Sequence, residues 1–282
     1  MRDVKIFTDS TSDLTPEIIL DNHISLVPLY VNFEDKSFKD GIDINTTTLY
    51  EIVKAKGKLP KTAAASPSDF YTAFKSYIDE GKDIIFISLS SKLSSNLQNA
   101  AIAASEFDKD RIELVDSLNL STGIGLLVMK AVDYAKEGLD VHEIAGRIRE
   151  LVPKVKTAFI IDTLEYLYKG GRCNALQNFL GNVLKIRPVV QVVNGSMILA
   201  QKIRGKRKKA LSIMLQNVLK DKENIQLDRI TVTHSMSDED AKYLKKELEK
   251  AIPAKEILIT NAGCVVSSHC GPNTVGILYI SK

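Results

Sequence analysis

The first half of the chain alternates short apolar runs with helical patterns. Apolar runs at 4–8, 24–33, 82–90 and 111–117 predict β-strands, and the third is dense in β-branched residues, as in a strand buried on both faces. Thr15 followed by Pro16 predicts a helix start, and a longer helix is predicted at 121–136. This alternation predicts an α/β domain with a mostly parallel sheet and helices on both faces.

The second half has a different pattern. Asn194-Gly195 between two apolar runs predicts a β-hairpin, and two short helices are predicted around "LEYLYKGG" and "LQNFLGNVL". Further patterns predict strands at 157–162, 228–234, 256–261 and 274–281 and helices at 206–220 and 237–250. We therefore expect an α+β domain at 156–282 after an α/β domain at 1–155, with the ligand site in the cleft between them.

Composition excludes several classes of protein. The chain has 282 residues, 44% of them hydrophobic and 26% charged, which is typical of a soluble globular protein. A net charge of +3 gives no strong field toward nucleic acid. No apolar run approaches the roughly 18 residues of a membrane span, and the N-terminus becomes polar too early for a signal peptide. Three cysteines without a CxxC spacing favour reduced thiols in a cytoplasmic protein.

The common catalytic and nucleotide-binding motifs are absent. There is no GxxxxGK[ST], GxGxxG, HExxH or GxSxG sequence. The two histidines and two cysteines toward the C-terminus, His234, Cys264, His269 and Cys270, match no standard zinc spacing, so we predict no metal site.

Three loops carry candidate binding residues, each with a structural alternative. The hydroxyl-rich stretch "LSSKLSSNLQ" (89–98) follows a buried strand and opens a helix, where it can bind an anion or simply cap the helix. Thr62 lies in a loop of small residues that could contact a ligand or form a turn. The glycine pair of "LYKGGR" (167–172) indicates a loop that needs a permissive backbone, and its neighbours Lys169 and Arg172 are cationic.

A basic run, "KIRGKRKK" (202–209), has six basic residues in eight. It can contact phosphate or nucleic acid, or it can be the solvated start of a helix. Cations at a helix N-terminus oppose the helix dipole, which favours an anionic partner.

Seven stretches together resemble the DegV family of bacterial fatty-acid-binding proteins, in the family's order and over nearly the whole chain. They are "TDSTSDL", "KTAAASPSDF", "SSKLSSNLQNA", "VDS" followed by "GIGLLV", "LEYLYKGGR", "KIRGKRKKA" and "HCGPNTVG". The resemblance implies two domains with a long-chain fatty acid of the palmitate, stearate or oleate type buried between them. It implies a carrier that is not an enzyme and has no cofactor.

The resemblance also implies roles for particular residues. Thr62, Ser94 and His269 match the positions that hold the fatty-acid carboxylate, and Ser95 is a possible further head-group contact. In FakB-type members the acid is handed to a separate ATP-dependent fatty acid kinase for phospholipid synthesis. Arg204 matches an arginine on the surface that faces the kinase, and Arg172 is a second partner-binding candidate. We expect at most transient membrane-surface contact and no nucleic acid partner.

The chain departs from the family pattern in two places. The family usually has Ser-Gln-Pro after the threonine, where this chain has Ala63, Ala64 and Ala65. It usually has Gly-Thr after the serine, where this chain has Ser95 and Asn96. The first change removes polar groups near the expected site, and the second adds a side chain.

Two other functions are open on the sequence alone. Ser94 and His269 could be the nucleophile and base of a lipid hydrolase, although no nucleophile elbow and no orienting acid is evident. The basic run could serve a nucleic-acid-binding regulator, although no binding motif is recognised.

Overall fold

The structure, a computed structural model, describes residues 2–172 and 186–282. In these ranges the strands, numbered in chain order, are β1 Val4–Asp9, β2 Ser25–Val27, β3 Tyr30–Phe33, β4 Lys36–Lys39, β5 Lys61–Ala63, β6 Asp83–Ser88, β7 Ile112–Asp116, β8 Val155–Ile160, β9 Ile186–Val193, β10 Ser196–Arg204, β11 Ile225–Ser235, β12 Glu256–Asn261 and β13 Thr274–Ser281. The helices are α1 Pro16–Asp21, α2 Thr46–Lys56, α3 Pro67–Asp79, α4 Asn96–Ala104, α5 Thr122–Lys136, α6 Val141–Leu151, α7 Glu165–Lys169, α8 Arg207–Lys220, α9 Asp238–Ala251 and α10 Cys264–Cys270.

The predicted parallel sheet of the first half is present. Its order is β2-β1-β6-β7, every pairing is parallel, and all six residues of β6 are buried. Helices α3 and α4 cover one face over a cluster of aromatic rings, and α5 and α6 cover the other. Burial on both faces explains why β6 is apolar throughout instead of alternating.

The single strand predicted at 24–33 is wrong. The run divides into β2, which joins the parallel sheet, and β3, which pairs antiparallel with β4 and β5 in a separate three-stranded sheet. Pro28 lies between the two strands and cannot donate a ladder hydrogen bond, so the chain leaves the first sheet there. Strand β5 of the small sheet carries Thr62, so the prediction that Thr62 lies in a loop is wrong.

The second half contributes a six-stranded mixed sheet of order β10-β9-β8-β13-β11-β12. The predicted hairpin at Asn194-Gly195 is confirmed, and the strands predicted at 256–261 and 274–281 have the observed bounds. Helices α8 and α9 pack on one face of the sheet. The first of the two short helices is α7, and the second lies outside the described residues. The mixed architecture confirms the predicted fold class.

The two halves share an apolar core. Leu278 and Ile280 of the second half pack in the same cluster as residues of β1, β6 and α5. Inter-half polar contacts add to this, since Arg229 of β11 binds Asp133 of α5 at 2.5 and 3.0 Å. The domain boundary near residue 155 stays a prediction. Within the described ranges, no helix is long and apolar enough to cross a membrane.

The sequence did not indicate α10, although it contains His269. Its seven residues, "CVVSSHC", combine β-branched residues with serine and cysteine, which are weak helix formers. The helix forms because tertiary contacts hold both of its ends, as described below.

Candidate functional site

A narrow cavity lies at the carboxyl ends of the parallel strands and is walled by both halves of the chain. Residues that follow β1, β6 and β7 line one side, and the six-stranded sheet and α10 line the other. About 860 Å³ between the walls, counted with the opening to solvent, is free of protein atoms. The space between the two halves of the chain therefore suits a small-molecule ligand.

Most polar side chains in the cavity wall already bind other protein groups. Each of these hydroxyls has a partner: Thr11 with Asp9, Ser121 with Asp13, Thr157 with Asn119, Thr233 with Thr122 and Thr260, and Thr274 with the Cys270 carbonyl. The imidazole of His234 accepts the Ser237 N–H at 3.3 Å through Nδ1. Because these polar groups already have partners, they have little need of a ligand. The other described residues of the wall are chiefly apolar. Its apolar members include Leu29, Leu89, Leu93, Leu120, Phe159, Leu167 and Leu278.

The three residues predicted to hold a carboxylate all line this cavity. Thr62 Oγ1 lies 2.8 Å from His269 Nε2, although the two residues are 207 positions apart. Ser94 lies just before α4, where its Oγ accepts the Asn96 N–H at 3.2 Å. His269 Nδ1 is buried and, within the described part of the chain, has no hydrogen-bond partner. A buried polar atom without a partner indicates a position that a ligand can complete.

Backbone geometry fixes the position of the imidazole. Gly271 ends α10 with a φ of 77°, and its N–H binds the Ser267 carbonyl at 2.9 Å. A Cβ atom on Gly170 would lie 2.2 Å from His269 Nδ1, so only glycine allows this approach. The predicted need for a permissive backbone in "LYKGGR" is confirmed: Gly170 makes room for the ring, and Gly171 has a φ of 68°.

The electrostatic surroundings keep His269 neutral. Burial, and then the positive charge of Arg172, lower the pKa of His269 from 6.5 to about 4. At pH 7 the imidazole therefore has one donor and one acceptor. When Thr62 donates to Nε2, the proton is on Nδ1, which packs against Gly170. An anion bound beside the imidazole would in turn raise the pKa of His269.

Two buried carboxylates anchor the N-terminus of α10. Asp40 accepts the N–H groups of Cys264 at 2.7 Å and Val265 at 3.3 Å, and Asp13 accepts the Gly263 N–H at 2.8 Å. Burial raises the pKa of both carboxyl groups. Sequence reasoning missed this role because it depends on contacts more than 200 residues apart. In the described ranges, no three His, Cys, Asp or Glu side chains are grouped so that they could hold a metal ion.

Of the remaining candidate residues, Arg172 lines the cavity, whereas Ser95 and Arg204 are not among the described lining residues. Ser95 is exposed at the N-cap of α4 and is not among the described residues that line the cavity. Arg172 lines the cavity near His269, and its guanidinium binds the Gly170 carbonyl at 2.7 Å. Arg204 is exposed at the end of β10.

The basic run is not uniformly solvated. Arg207 binds Asp162 at 3.0 Å and Ser237 at 2.8 Å, and it also forms an ion pair with Asp240. These contacts join the start of α8 to the start of α9 and to the end of β8. Arg207 is thus a structural residue, while Arg204 and Lys208 are exposed.

Comparison with known proteins identifies the family of this chain. A sequence profile of the DegV family, described as an uncharacterised protein family, matches residues 3–282. The chain belongs to the DegV family.

Relatives with described ligands share the full length of the chain. A protein of Thermotoga maritima described as a fatty acid-binding protein is 31% identical, over 97% of this chain and 96% of its own. A fatty-acid-binding DegV family protein of Thermus thermophilus is 31% identical, with a TM-score of 0.93 and all of both chains covered. DegV of Bacillus subtilis, described as a fatty acid binding protein, is 28% identical, with a TM-score of 0.89 and both chains fully covered.

Proposed function

We propose that this DegV family protein binds a long-chain fatty acid of the palmitate, stearate or oleate type in the cavity. The acyl chain lies along the apolar wall, and the carboxylate binds Thr62, Ser94 and His269. One observation carries the proposal: Thr62, Ser94 and His269 line one cavity whose other described polar groups are largely satisfied, and His269 Nδ1 has no hydrogen-bond partner among the described residues. The fatty-acid binding described for its relatives supports the same ligand class.

The energetics favour a ligand that is mostly hydrocarbon. Burying about 15 CH₂ groups at roughly 0.8 kcal/mol each gives on the order of 12 kcal/mol. Association costs of about 4 to 15 kcal/mol offset much of this gain. The carboxylate must also recover its lost hydration, which hydrogen bonds from the Ser94 hydroxyl and the His269 N–H would provide.

The geometry favours a carrier over a hydrolase. His269 Nε2 is bonded to Thr62, and in the described residues no carboxylate is bonded to the imidazole to orient it. Ser94 Oγ is engaged with the Asn96 N–H. A Ser-His pair without an orienting acid lacks the usual arrangement for activating a serine nucleophile.

A comparison of an acid with its ester tests the proposed site. Palmitate and methyl palmitate can each be titrated against a fluorescent fatty acid that occupies the cavity. We expect both to displace the probe, and palmitate to bind more tightly because the ester has no ionised oxygen for His269 and Ser94. Equal affinities would contradict the head-group assignment, and failure of both ligands to bind would contradict the proposed function.

Replacing Gly170 with alanine should impair head-group binding. The new methyl group would lie 2.2 Å from His269 Nδ1 and must displace the imidazole from Thr62. Losing one hydrogen bond to a charged group predicts palmitate affinity lower by about tenfold or more, measured by the same displacement titration.

Gly146→Ala is the matched control, because a Cβ atom at Gly146 meets no atom within 4 Å. It should leave palmitate affinity unchanged. The close-packing explanation is wrong if Gly170→Ala binds palmitate as tightly as the unaltered protein does.

We further propose that the bound acid is presented to a separate fatty acid kinase, with Arg204 on the docking surface. Arg204 is exposed and does not belong to the described cavity lining, so docking and lipid binding can be separated. Arg204→Ala should slow phosphorylation of the bound acid, measured with a purified kinase, and leave palmitate affinity intact. Added salt should weaken docking, because exposed charges are screened over about 8 to 10 Å.

Lys109→Ala is the control, since it removes an equally exposed charge from the other half of the chain. Reduced palmitate affinity with normal phosphorylation in Arg204→Ala would contradict this assignment. Arg172 is a weaker docking candidate than Arg204, because it lines the cavity beside His269.

A further inference from the structure

The two stretches in which this chain departs from the usual family pattern are in direct contact. The Ala65 N–H donates to Asn96 Oδ1 at 3.2 Å. The Ala65 carbonyl accepts a hydrogen bond from Asn99 Nδ2 at 2.7 Å. Helix α4 therefore binds both main-chain polar groups of Ala65, three residues after Thr62.

Asn96 connects this loop to the rest of the site. Its side chain is fully buried, and Nδ2 donates to Asp9 Oδ2 at the end of β1 at 2.9 Å. Its own N–H donates to Ser94 Oγ at 3.2 Å. One residue thus fixes Ser94 through its main chain and the loop that follows Thr62 through its side chain.

We propose that Asn96 is a positioning residue that sets the placement of Thr62 relative to Ser94 and His269, and so the geometry of carboxylate binding. This inference rests on the proposed function. Asn96 need not touch the ligand, because it acts by holding Ala65. The neighbouring Ala63 and Ala64, which line the cavity, have no polar side chains with which to fix the loop.

The residues at positions 65 and 96 constrain each other, because they share a hydrogen bond. Proline at position 65 would have no N–H, which would leave Asn96 Oδ1 buried without its partner. Threonine at position 96 would be too short to bind both Asp9 and Ala65. A buried polar group that loses its partner is unfavourable, so we expect the asparagine to require a residue with a free N–H at position 65.

The test measures affinities for palmitate and methyl palmitate in Asn96→Thr, Thr62→Val and the double variant. Asn96→Thr should weaken palmitate binding by about tenfold and leave the ester nearly unchanged. Because Asn96 acts through Thr62, the double variant should bind palmitate about as well as Thr62→Val alone. Asn217→Thr is the matched control and should change neither affinity, because Asn217 is half-buried on α8, binds Gln201 and is not among the described residues that line the cavity.

Ala65→Pro is a second test of the hydrogen bond between Ala65 and Asn96, and it leaves the buried Asn96 unchanged. It should reproduce the selective loss of palmitate affinity, and this variant decides the matter if Asn96→Thr does not fold. Equal losses for acid and ester, or additive effects of Asn96→Thr and Thr62→Val, would overturn the proposal. If the unaltered protein binds neither ligand, the proposed function fails instead.

Discussion

Octanoate is expected to bind between about four and five orders of magnitude more weakly than palmitate. The two acids have the same carboxylate and differ by eight CH₂ groups, each worth roughly 0.8 kcal/mol when buried, or about 6 kcal/mol in total. The prediction follows from a cavity wall whose polar side chains are largely satisfied by other protein groups. Isothermal titration of acids of 8, 10, 12, 14 and 16 carbons would measure the increment per carbon.

A steady gain in affinity with each added carbon would support burial of the whole chain. Affinity that is flat above eight carbons would contradict it, because the chain would then leave the cavity after the first few carbons. Methyl esters of the same lengths provide the control. They should show the same increment with an affinity that is lower at every length.

His269→Ala should weaken palmitate binding by about 10- to 150-fold. Loss of a hydrogen bond to a charged group costs about 1.5 to 3 kcal/mol, and the carboxylate would lose its contact with the imidazole. Ser94→Ala should show a loss in the same range, because it removes a hydroxyl that lines the same cavity. Displacement titration of each folded variant measures the effect.

His142→Ala is the matched control, since this exposed histidine pairs with Glu113 away from the cavity. It should bind palmitate normally. Unchanged acid affinity in both His269→Ala and Ser94→Ala would place the carboxylate elsewhere. Equal losses for acid and methyl ester in His269→Ala would show that the imidazole shapes the cavity without binding the carboxylate.

Much of the fold could be predicted from local pattern. The buried strand β6, the hairpin at Asn194-Gly195 and the strands at 256–261 and 274–281 have strong signals in a few adjacent residues. The division of the run at 24–33 was missed, although Pro28 was the signal that could have shown it.

Helix α10 and its supports could not be predicted in this way. Its sequence has low helix propensity, and the carboxylates of Asp13 and Asp40 that bind its N-terminus come from the other half of the chain. A pattern within a few adjacent residues cannot indicate a contact between residues more than 200 positions apart. The approach of Gly170 to His269 is hidden for the same reason, although the glycine pair itself was a visible signal.

The candidate site came from the family resemblance and not from spacing. Thr62, Ser94 and His269 are far apart in sequence, and hydroxyl residues at a helix start are most often caps. The structure brings all three to one cavity and bonds Thr62 to His269. It also shows what neither spacing nor resemblance indicated: Asn96 and Ala65 are hydrogen-bonded to each other.

Native mass spectrometry of the purified protein, followed by solvent extraction and identification of the released lipid, tests the central claim most directly. We predict one bound fatty acid per chain, with a chain of about 16 to 18 carbons, and loss of that mass after delipidation. Palmitate added to the delipidated protein should restore the complex. A protein that purifies without lipid and, after delipidation, binds no added palmitate, stearate or oleate would contradict the account.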